Sequence, residues 1–261
     1  MTRPKDSELT NIIELKNVSQ SYDGGKTYII KDLDLLVEDK PAQGQFICIL
    51  GMSGCGKSTL LRYIAGLQKP SEGEVYIHEK LRDESNHVGM VFQQYSSFPW
   101  KTVLENVSTG LDYQGIEEKE RTHRAMEMIK LVGLSGHEKK YAQYLTLSGG
   151  QLQRVAIARS LLTNQDILLL DEPFGALDIK TRIQMQELLL DIWNKFHSTF
   201  IFVTHDISEA VYLADEIYIM KAPPSNFAFH IQVDLPLQRD REVKKMSRYL
   251  ELVREVEDKM I

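Results

Sequence analysis

The chain has 261 residues, 43% of them hydrophobic and 26% charged, enough apolar material to bury a full core in one domain or one domain with a subdomain. A formal net charge of -6 argues against whole-molecule nucleic-acid binding, which needs a basic field, though a local basic patch stays open. No apolar run approaches the roughly 18 to 20 residues that span a bilayer, and the opening MTRPKDSELTN lacks a signal peptide's apolar segment, so a cytosolic chain is expected, docked at most on something membranous.

Residues 1–11 read as an N-terminal tail. Ile12 to Val18 has a strand pattern, Tyr22 to Gly25 a turn, and Thr27 to Val37 a second strand pattern, together an antiparallel β layer. An exposed aromatic on that turn could stack on an adenine ring through its π face. Tyr22 is the candidate and Tyr28 the runner-up, with a tyrosine that only covers the sheet as the alternative.

Pro41 to Gly44 breaks the pattern, and the apolar run Gln45 to Leu50 then feeds GMSGCGKST, Gly51 to Thr59. This is G-x-x-x-x-G-K-[ST] between a strand pattern and a helix pattern, Lys57 to Gly66, the context a phosphate-cradling loop requires. Gly51, Gly54 and Gly56 let the backbone turn tightly and aim N–H groups inward, where the helix dipole also favours an anion. Ser53, Cys55 and Thr59 belong to the same nucleotide-binding set. Lys57 supplies a point charge for the β- and γ-phosphates, and the Ser58 hydroxyl is placed to ligate Mg²⁺. Two cysteines, Cys48 and Cys55, are too few for a disulfide framework. Cys48 reads as a core residue, whereas Cys55 sits inside the loop, where alkylation should obstruct nucleotide.

Gly73 to His78 reads as a short strand, and Asn86 to Phe92 as another that ends at Gln93. A carboxamide there can meet Mg²⁺ or an attacking water. From Gln94 to about Leu161 the periodicity becomes helical, with Val103, Leu104 and Val107 and then Ala125, Met128, Ile129 and Val132, an insert within an α/β frame. Phe98, Pro99 and Trp100 precede it as an aromatic step that either marks a partner surface or caps the insert's own core.

LSGGQLQR, Leu147 to Arg154, opens a further helix. Ser148, Gly149, Gly150 and Gln151 at its start form a second anion site from a hydroxyl, free amides and a helix dipole. Two phosphate sites for one ligand are most simply explained if the second completes the pocket of another copy. Ile167 to Leu170 reads as a strand buried on both faces, ending in Asp171, which can hold Mg²⁺ through its water shell, and Glu172, which can take a proton from the attacking water. Asp178, in GALD, would sit at the junction with the second copy. Phe200 to Val203 is one more buried strand, and His205 beyond it could donate to a γ-phosphate at the same sheet edge.

Pro223 to Ser225 breaks the chain before a last strand candidate, Phe227 to Val233. In the tail, 236–261, Val243, Met246, Leu250, Val253 and Val256 make an apolar helical stripe behind a basic cluster from Arg239 to Arg248. It is expected to pack on the domain with its charges solvated, a docking or regulatory helix being the alternative.

With GMSGCGKST, Gln93, LSGGQLQR, ILLLDEP, GALD and His205 in this order, the sequence resembles the ATP-binding subunits of ABC transporters over roughly residues 12–235, and VGMVFQQYSSFPWKTVLENV looks like the subgroup serving nitrate, sulfonate and taurine importers. The resemblance implies an α/β fold, a P-loop NTPase core with an antiparallel β subdomain and a helical subdomain inserted at about 94–161. It also implies a head-to-tail homodimer around two MgATP, with Gly51 to Thr59 of one copy facing Ser148 to Gln151 of the other. Glu172, His205 and Gln93 are then the catalytic set, and Ser58, Gln93 and Asp171 the metal set. The implied partners are integral-membrane permease subunits and, indirectly, an extracytoplasmic solute-binding protein, at the cytoplasmic face of the inner membrane, with a small anion such as nitrate, sulfonate, taurine or bicarbonate as cargo. An importer for another solute, a soluble non-transport ABC ATPase and a regulatory module without turnover are the alternatives.

Overall fold

The computed structural model describes residues 10–40, 44–83, 88–94, 96–163 and 166–260. Two sheets organise it. An antiparallel four-stranded sheet holds β1 (Asn11–Gln20), β2 (Ile30–Glu38), β4 (Glu72–Ile77) and β5 (Lys80–Leu81) in the order β2-β1-β4-β5. A six-stranded sheet takes β3 (Gln45–Gly51), β6 (Gly89–Val91), β7 (Ile167–Asp171), β8 (Thr199–Thr204), β9 (Glu216–Met220) and β10 (Phe227–Gln232) in the order β10-β9-β3-β8-β7-β6. Its pairs are parallel except for β10 against β9.

The central strands β3, β7 and β8 are buried at every residue, as expected of parallel strands covered on both faces. Side chains of β3 alternate between two cores: Phe46, Cys48 and Leu50 join one cluster, Ile47 and Ile49 the other. The first cluster takes in α2 (Val103–Tyr113), α3 (Glu118–Leu131), α4 (Gly149–Leu161) and α5 (Ile179–Phe196). The second is closed by the antiparallel sheet and by α1 (Lys57–Ala65). The helical insert therefore shares its core with one face of the parallel sheet. At its centre Phe46 meets Phe200 edge-on at 5.4 Å and Trp193 of α5 at 6.0 Å, an arrangement aromatic quadrupoles favour. Met185, Leu189, Ile192 and Trp193 lie at helical spacing on the buried side of α5, each contributing about 1.5–3 kcal/mol by leaving water.

Three sequence expectations change. The second strand begins at Ile30, not Thr27, because Asp23 gathers residues 26 and 27 into the turn: its carboxylate accepts from both backbone amides and from the Thr27 hydroxyl. These bonds hold the Asp23 carboxyl down at about 2, the Thr27 hydroxyl having the largest effect. The strand expected over Asn86 to Phe92 occupies only Gly89–Val91, so Gln93 lies two residues beyond its end; Asn86 and His87 fall outside the described residues. The tail's charges are not all solvated. Arg239 is buried, donating to the carbonyls of Tyr212 and Ala214 and to Asp215 at 2.9 Å. Beyond it, a 3-10 turn (Arg241–Lys245) reaches α5 through Arg241 to Glu187 and Lys244 to Gln186, and α7 (Ser247–Met260) packs on α6 (Ile207–Leu213) with Tyr249, Leu252 and Val256 buried.

Among the described residues no helix is long and apolar enough to cross a membrane.

Candidate functional site

The loop Gly51 to Thr59 leaves β3 and enters α1 at the C-terminal edge of the parallel sheet, where ligands of such sheets bind. Gly54 and Gly56 carry φ of +83° and +96°, so the tight turn depends on them. Gly56 is also pressed from behind, since a Cβ there would meet Ile30 of β2 at 3.0 Å. No carboxylate occupies the first turn of α1, so its amides remain available to an anion.

Lys57 is only 4% exposed, and its ammonium donates to the carbonyls of Gly51 and Met52 at 2.9 Å each. Those bonds offset the cost of burying the charge and aim it at the loop's concavity. Its Nζ stands 3.8 Å from Glu172 Oε1. Ser58 Oγ donates to Asp171 Oδ1 at 2.9 Å. Burial pushes the Asp171 carboxyl up, against the Ser58 hydrogen bond that holds it down.

The adjacent carboxylates diverge because the backbone turns sharply after β7: Glu172 has φ +41°, and its amide donates to the Val203 carbonyl. A left-handed glutamate costs conformational energy, the kind of strain that persists where surrounding contacts over-determine it. Asp171 is thereby left facing Ser58 while Glu172 faces the sheet edge. There His205 Nδ1 stands 3.2 Å from Glu172 Oε2, and Gln93 Nε2 donates to the same oxygen at 3.4 Å. Lys57, Ser58, Gln93, Asp171, Glu172 and His205 thus converge from four strand ends.

This donor set suits a magnesium nucleotide. A buried ammonium and free helix amides await phosphate, and Ser58 and Asp171 form a hard oxygen pair. Among the described residues no group of three or more His, Cys, Asp or Glu side chains could hold a metal alone, so a cation here would need further oxygens from phosphate and water.

Cys55 departs from expectation. Its thiol is buried in the cluster beneath the loop, where a Cβ on Gly51 would stand 2.8 Å from Sγ, and burial pushes the thiol up. Only its backbone can face a ligand. Tyr22 is exposed with its hydroxyl accepting from Gln68, whereas Tyr28 is half-buried and donates to Glu72 at 2.8 Å, so of the two Tyr22 has the open ring.

The second glycine site stands apart. Ser148 caps α4 in a reciprocal box: its hydroxyl accepts from the Gln151 amide at 3.3 Å, and its own amide donates to Gln151 Oε1 at 2.9 Å. With Oε1 so occupied, Gln151 Nε2 donates to His137 Nε2 at 2.9 Å. Gly150 is wedged against α5, where a Cβ would strike the Thr181 methyl at 2.4 Å. The surrounding hollow, about 290 Å³, is lined by Ser148, Gly150, Gln151, Arg154, Thr181 and other residues, none from the phosphate loop. No hydrogen bond or ion pair among the described residues joins 148–151 to 51–59. Asp178 caps α5 by accepting from Thr181, which holds its carboxyl down.

Residues that sequence reasoning passed over include His137, Arg159, Arg182 and Glu209. Arg159 braces the aromatic step, donating to the Ser96 carbonyl and hydroxyl and lying 5.0 Å from the Phe98 ring centroid. Glu209 was legible: Asp206 followed three residues later by Glu209 is a helix-start signature. The other three meet partners far away in sequence, which no local pattern announces.

The sequence profile of the ABC transporter family matches residues 37–175. The nitrate import ATP-binding protein NrtD of Synechocystis is 40% identical over 240 residues, 91% of this chain and 87% of that protein. The aliphatic sulfonates import ATP-binding protein SsuB of Bacillus cereus is 42% identical over 232 residues, covering 88% and 89%. The dimeric structure of MJ0796, a bacterial ABC transporter cassette, superposes with a TM-score of 0.72 at 36% identity over 85% of this chain and 98% of that one. With the phosphate loop, the second glycine site and the Glu172–His205 edge all in place, the chain belongs to the ABC transporter family, as an ATP-binding, ATP-hydrolysing subunit.

Proposed function

We propose that this subunit powers an importer for a small anion such as nitrate, sulfonate, taurine or bicarbonate, as a head-to-tail homodimer that closes around two MgATP at the cytoplasmic face of the inner membrane. The observation that carries the dimer is the separation of the two anion sites: the phosphate loop has the hydrolytic groups around it, and Ser148 to Gln151 has none. A γ-phosphate lying between the two sites bonds to both chains, and its loss opens the dimer. The naming of NrtD and SsuB as import proteins supports the direction of transport and the class of solute.

Within each site the amides of residues 53–59 and the Lys57 ammonium bind phosphates, and Tyr22 offers its exposed face to the adenine. Ser58, Asp171 and Gln93 would hold a Mg²⁺ ion, which would supply charge neutralisation to the phosphates. Glu172 accepts the proton of the attacking water while Gln93 orients that water, and His205 donates to the γ-phosphate. Asp178 lies at the junction between the copies. Membrane permease subunits dock at the aromatic step. Trp100 is 69% exposed with its ring 5.5 Å from that of Phe98, and the exposed Tyr141 bridges to Thr102 at the start of α2, which suits an apolar partner. A solute-binding protein outside the membrane selects the cargo.

The test is a purified complex of this chain with its permease and binding protein, assayed for phosphate release with each anion in turn. One of the four anions is expected to stimulate turnover several-fold. Stimulation by a cation or sugar and by none of the anions overturns the cargo assignment.

A further inference from the structure

The hydrolytic edge rests on a buried polar cluster that has so far been given no role. Glu209, on the first turn of α6, is 6% exposed. Its Oε2 accepts from the Thr204 hydroxyl at 2.9 Å, and its amide donates to Asp206 Oδ1 at 3.0 Å; the Asp206 amide in turn donates to the Thr204 hydroxyl at 3.0 Å. Both chain neighbours of His205 are therefore tied to one residue, Thr204 to the Glu209 carboxylate and Asp206 to the Glu209 amide and the Thr204 hydroxyl, with no hydrogen bond from that carboxylate to the histidine itself.

Across a cavity of about 60 Å³ from His205 stands Arg182, on the second turn of α5. Its Nη2 donates to the Leu177 carbonyl at 3.4 Å, its Nη1 lies 3.9 Å from Asp206 Oδ2, and its Nε lies 3.7 Å from Glu209 Oε1. The buried Nε has no hydrogen-bond partner, so the guanidinium is held by the Leu177 carbonyl and by the charge of the two carboxylates. Leu177 belongs to the loop after β7 that also covers Glu172: a Cβ on Gly175 would stand 3.9 Å from Glu172 Oε2. One cation thus touches the loop beside Glu172 and the segment that carries His205. Burial pushes the Glu209 carboxyl up while the Arg182 charge holds it down, so removing the cation favours a neutral acid.

We infer that Arg182 is a positioning residue that fixes the 3.2 Å approach of His205 to Glu172, tying residues 175–177 to residues 204–206 through the buried Glu209 carboxylate. This rests on the reading of Glu172 and His205 as hydrolytic groups. No hydrogen bond or ion pair among the described residues joins the Arg182 side chain to residues 51–59, so its loss misplaces the reacting edge and leaves the phosphate loop's hold on the nucleotide intact. Displacements near 1 Å at such edges cost on the order of 10²-fold in rate, and a partial slackening costs less.

The experiment measures kcat and KM for MgATP by phosphate release in the full-length chain carrying Arg182→Ala, Arg182→Lys, Glu209→Gln or His205→Ala, and the Arg182→Ala/His205→Ala pair by single turnover. Expected for Arg182→Ala is a roughly tenfold fall in kcat with KM within about twofold, and for Lys a partial rescue, since an ammonium keeps the charge and loses the fork. In the His205→Ala background the same change has less than about a twofold further effect, because the group being positioned is gone. A kcat near wild type in Arg182→Ala, or losses that simply multiply in the pair, overturns the inference and leaves the hydrolytic assignment standing. A normal kcat in His205→Ala overturns both. Should Arg182→Ala fail to fold, Glu209→Gln decides by the same split between kcat and KM.

Discussion

The two glycine-led anion sites share a local plan, a glycine turn feeding the start of a helix, and differ in what surrounds them. Around Gly51 to Thr59 the fold brings an ammonium, two carboxylates, an imidazole and a carboxamide to one sheet edge. Around Ser148 to Gln151 it brings a reciprocal cap, one histidine, the Arg154 side chain and the flank of α5, with no carboxylate among the described residues that line the hollow. On the proposed function the first site binds and reacts, and the second only receives. In the proposed dimer the second site is completed by the edge that another copy presents to it.

Breaking the reactive side gives the largest effect. Glu172→Gln removes the proton acceptor while keeping the shape, and turnover should fall by about 10²–10⁴-fold with ATP binding retained. Light scattering with ATP should then report a stable dimer, and normal phosphate release would refute the assignment of the base. Lys57→Ala is next: binding of a fluorescent ATP analogue by the isolated chain should weaken by more than about tenfold, since a buried charge aimed at the phosphates is gone. Ser148→Ala sharpens the contrast. It should lower turnover about tenfold and leave nucleotide binding by the isolated chain unchanged, while removing a helix cap worth about 1 kcal/mol in thermal melting. Weakened binding in the isolated chain would mean that the two sites share a ligand within one copy.

His137→Ala should do less. It frees Gln151 Nε2 and loosens the cap without deleting it, lowering turnover about two- to fivefold with unchanged nucleotide affinity, read by the same two assays. Smallest of all is the effect of thiol reagents. Because the Cys55 thiol faces the core and burial pushes it up, iodoacetamide should leave native ATPase activity intact over the time that labels the denatured chain fully. Rapid loss of activity, prevented by ATP, would return the thiol to the lumen of the loop.

Much of the site was legible because its parts are local. Gly51 to Thr59 has its glycines, lysine and serine within one turn and one helix start, and Ser148 to Gln151 has its cap within four residues, so spacing alone specifies both. The apolar runs that end in Asp171 and in Thr204 place carboxylates and histidine at strand ends from sequence alone. What was misread lay where short-range pattern competes with longer contacts. The β pattern of Thr27 to Val37 ran too far because Asp23 captured its first residues, and Cys55 read as a loop residue although its side chain turns inward beneath Gly51.

The sequence by itself determined the family and its ATP-binding, ATP-hydrolysing character, since these depend on residue types at fixed short spacings. Only the tertiary structure decided how those groups face one another. Ser58 meets Asp171 across 113 positions of chain and Gln93 meets Glu172 across 79, pairings set by the parallel strand order β3-β8-β7-β6 and by the left-handed turn at Glu172. Strand order, the direction in which Cys55 points and the hold of Arg182 on two loops follow from the closure of a common core, a property of the whole chain that no window of residues contains.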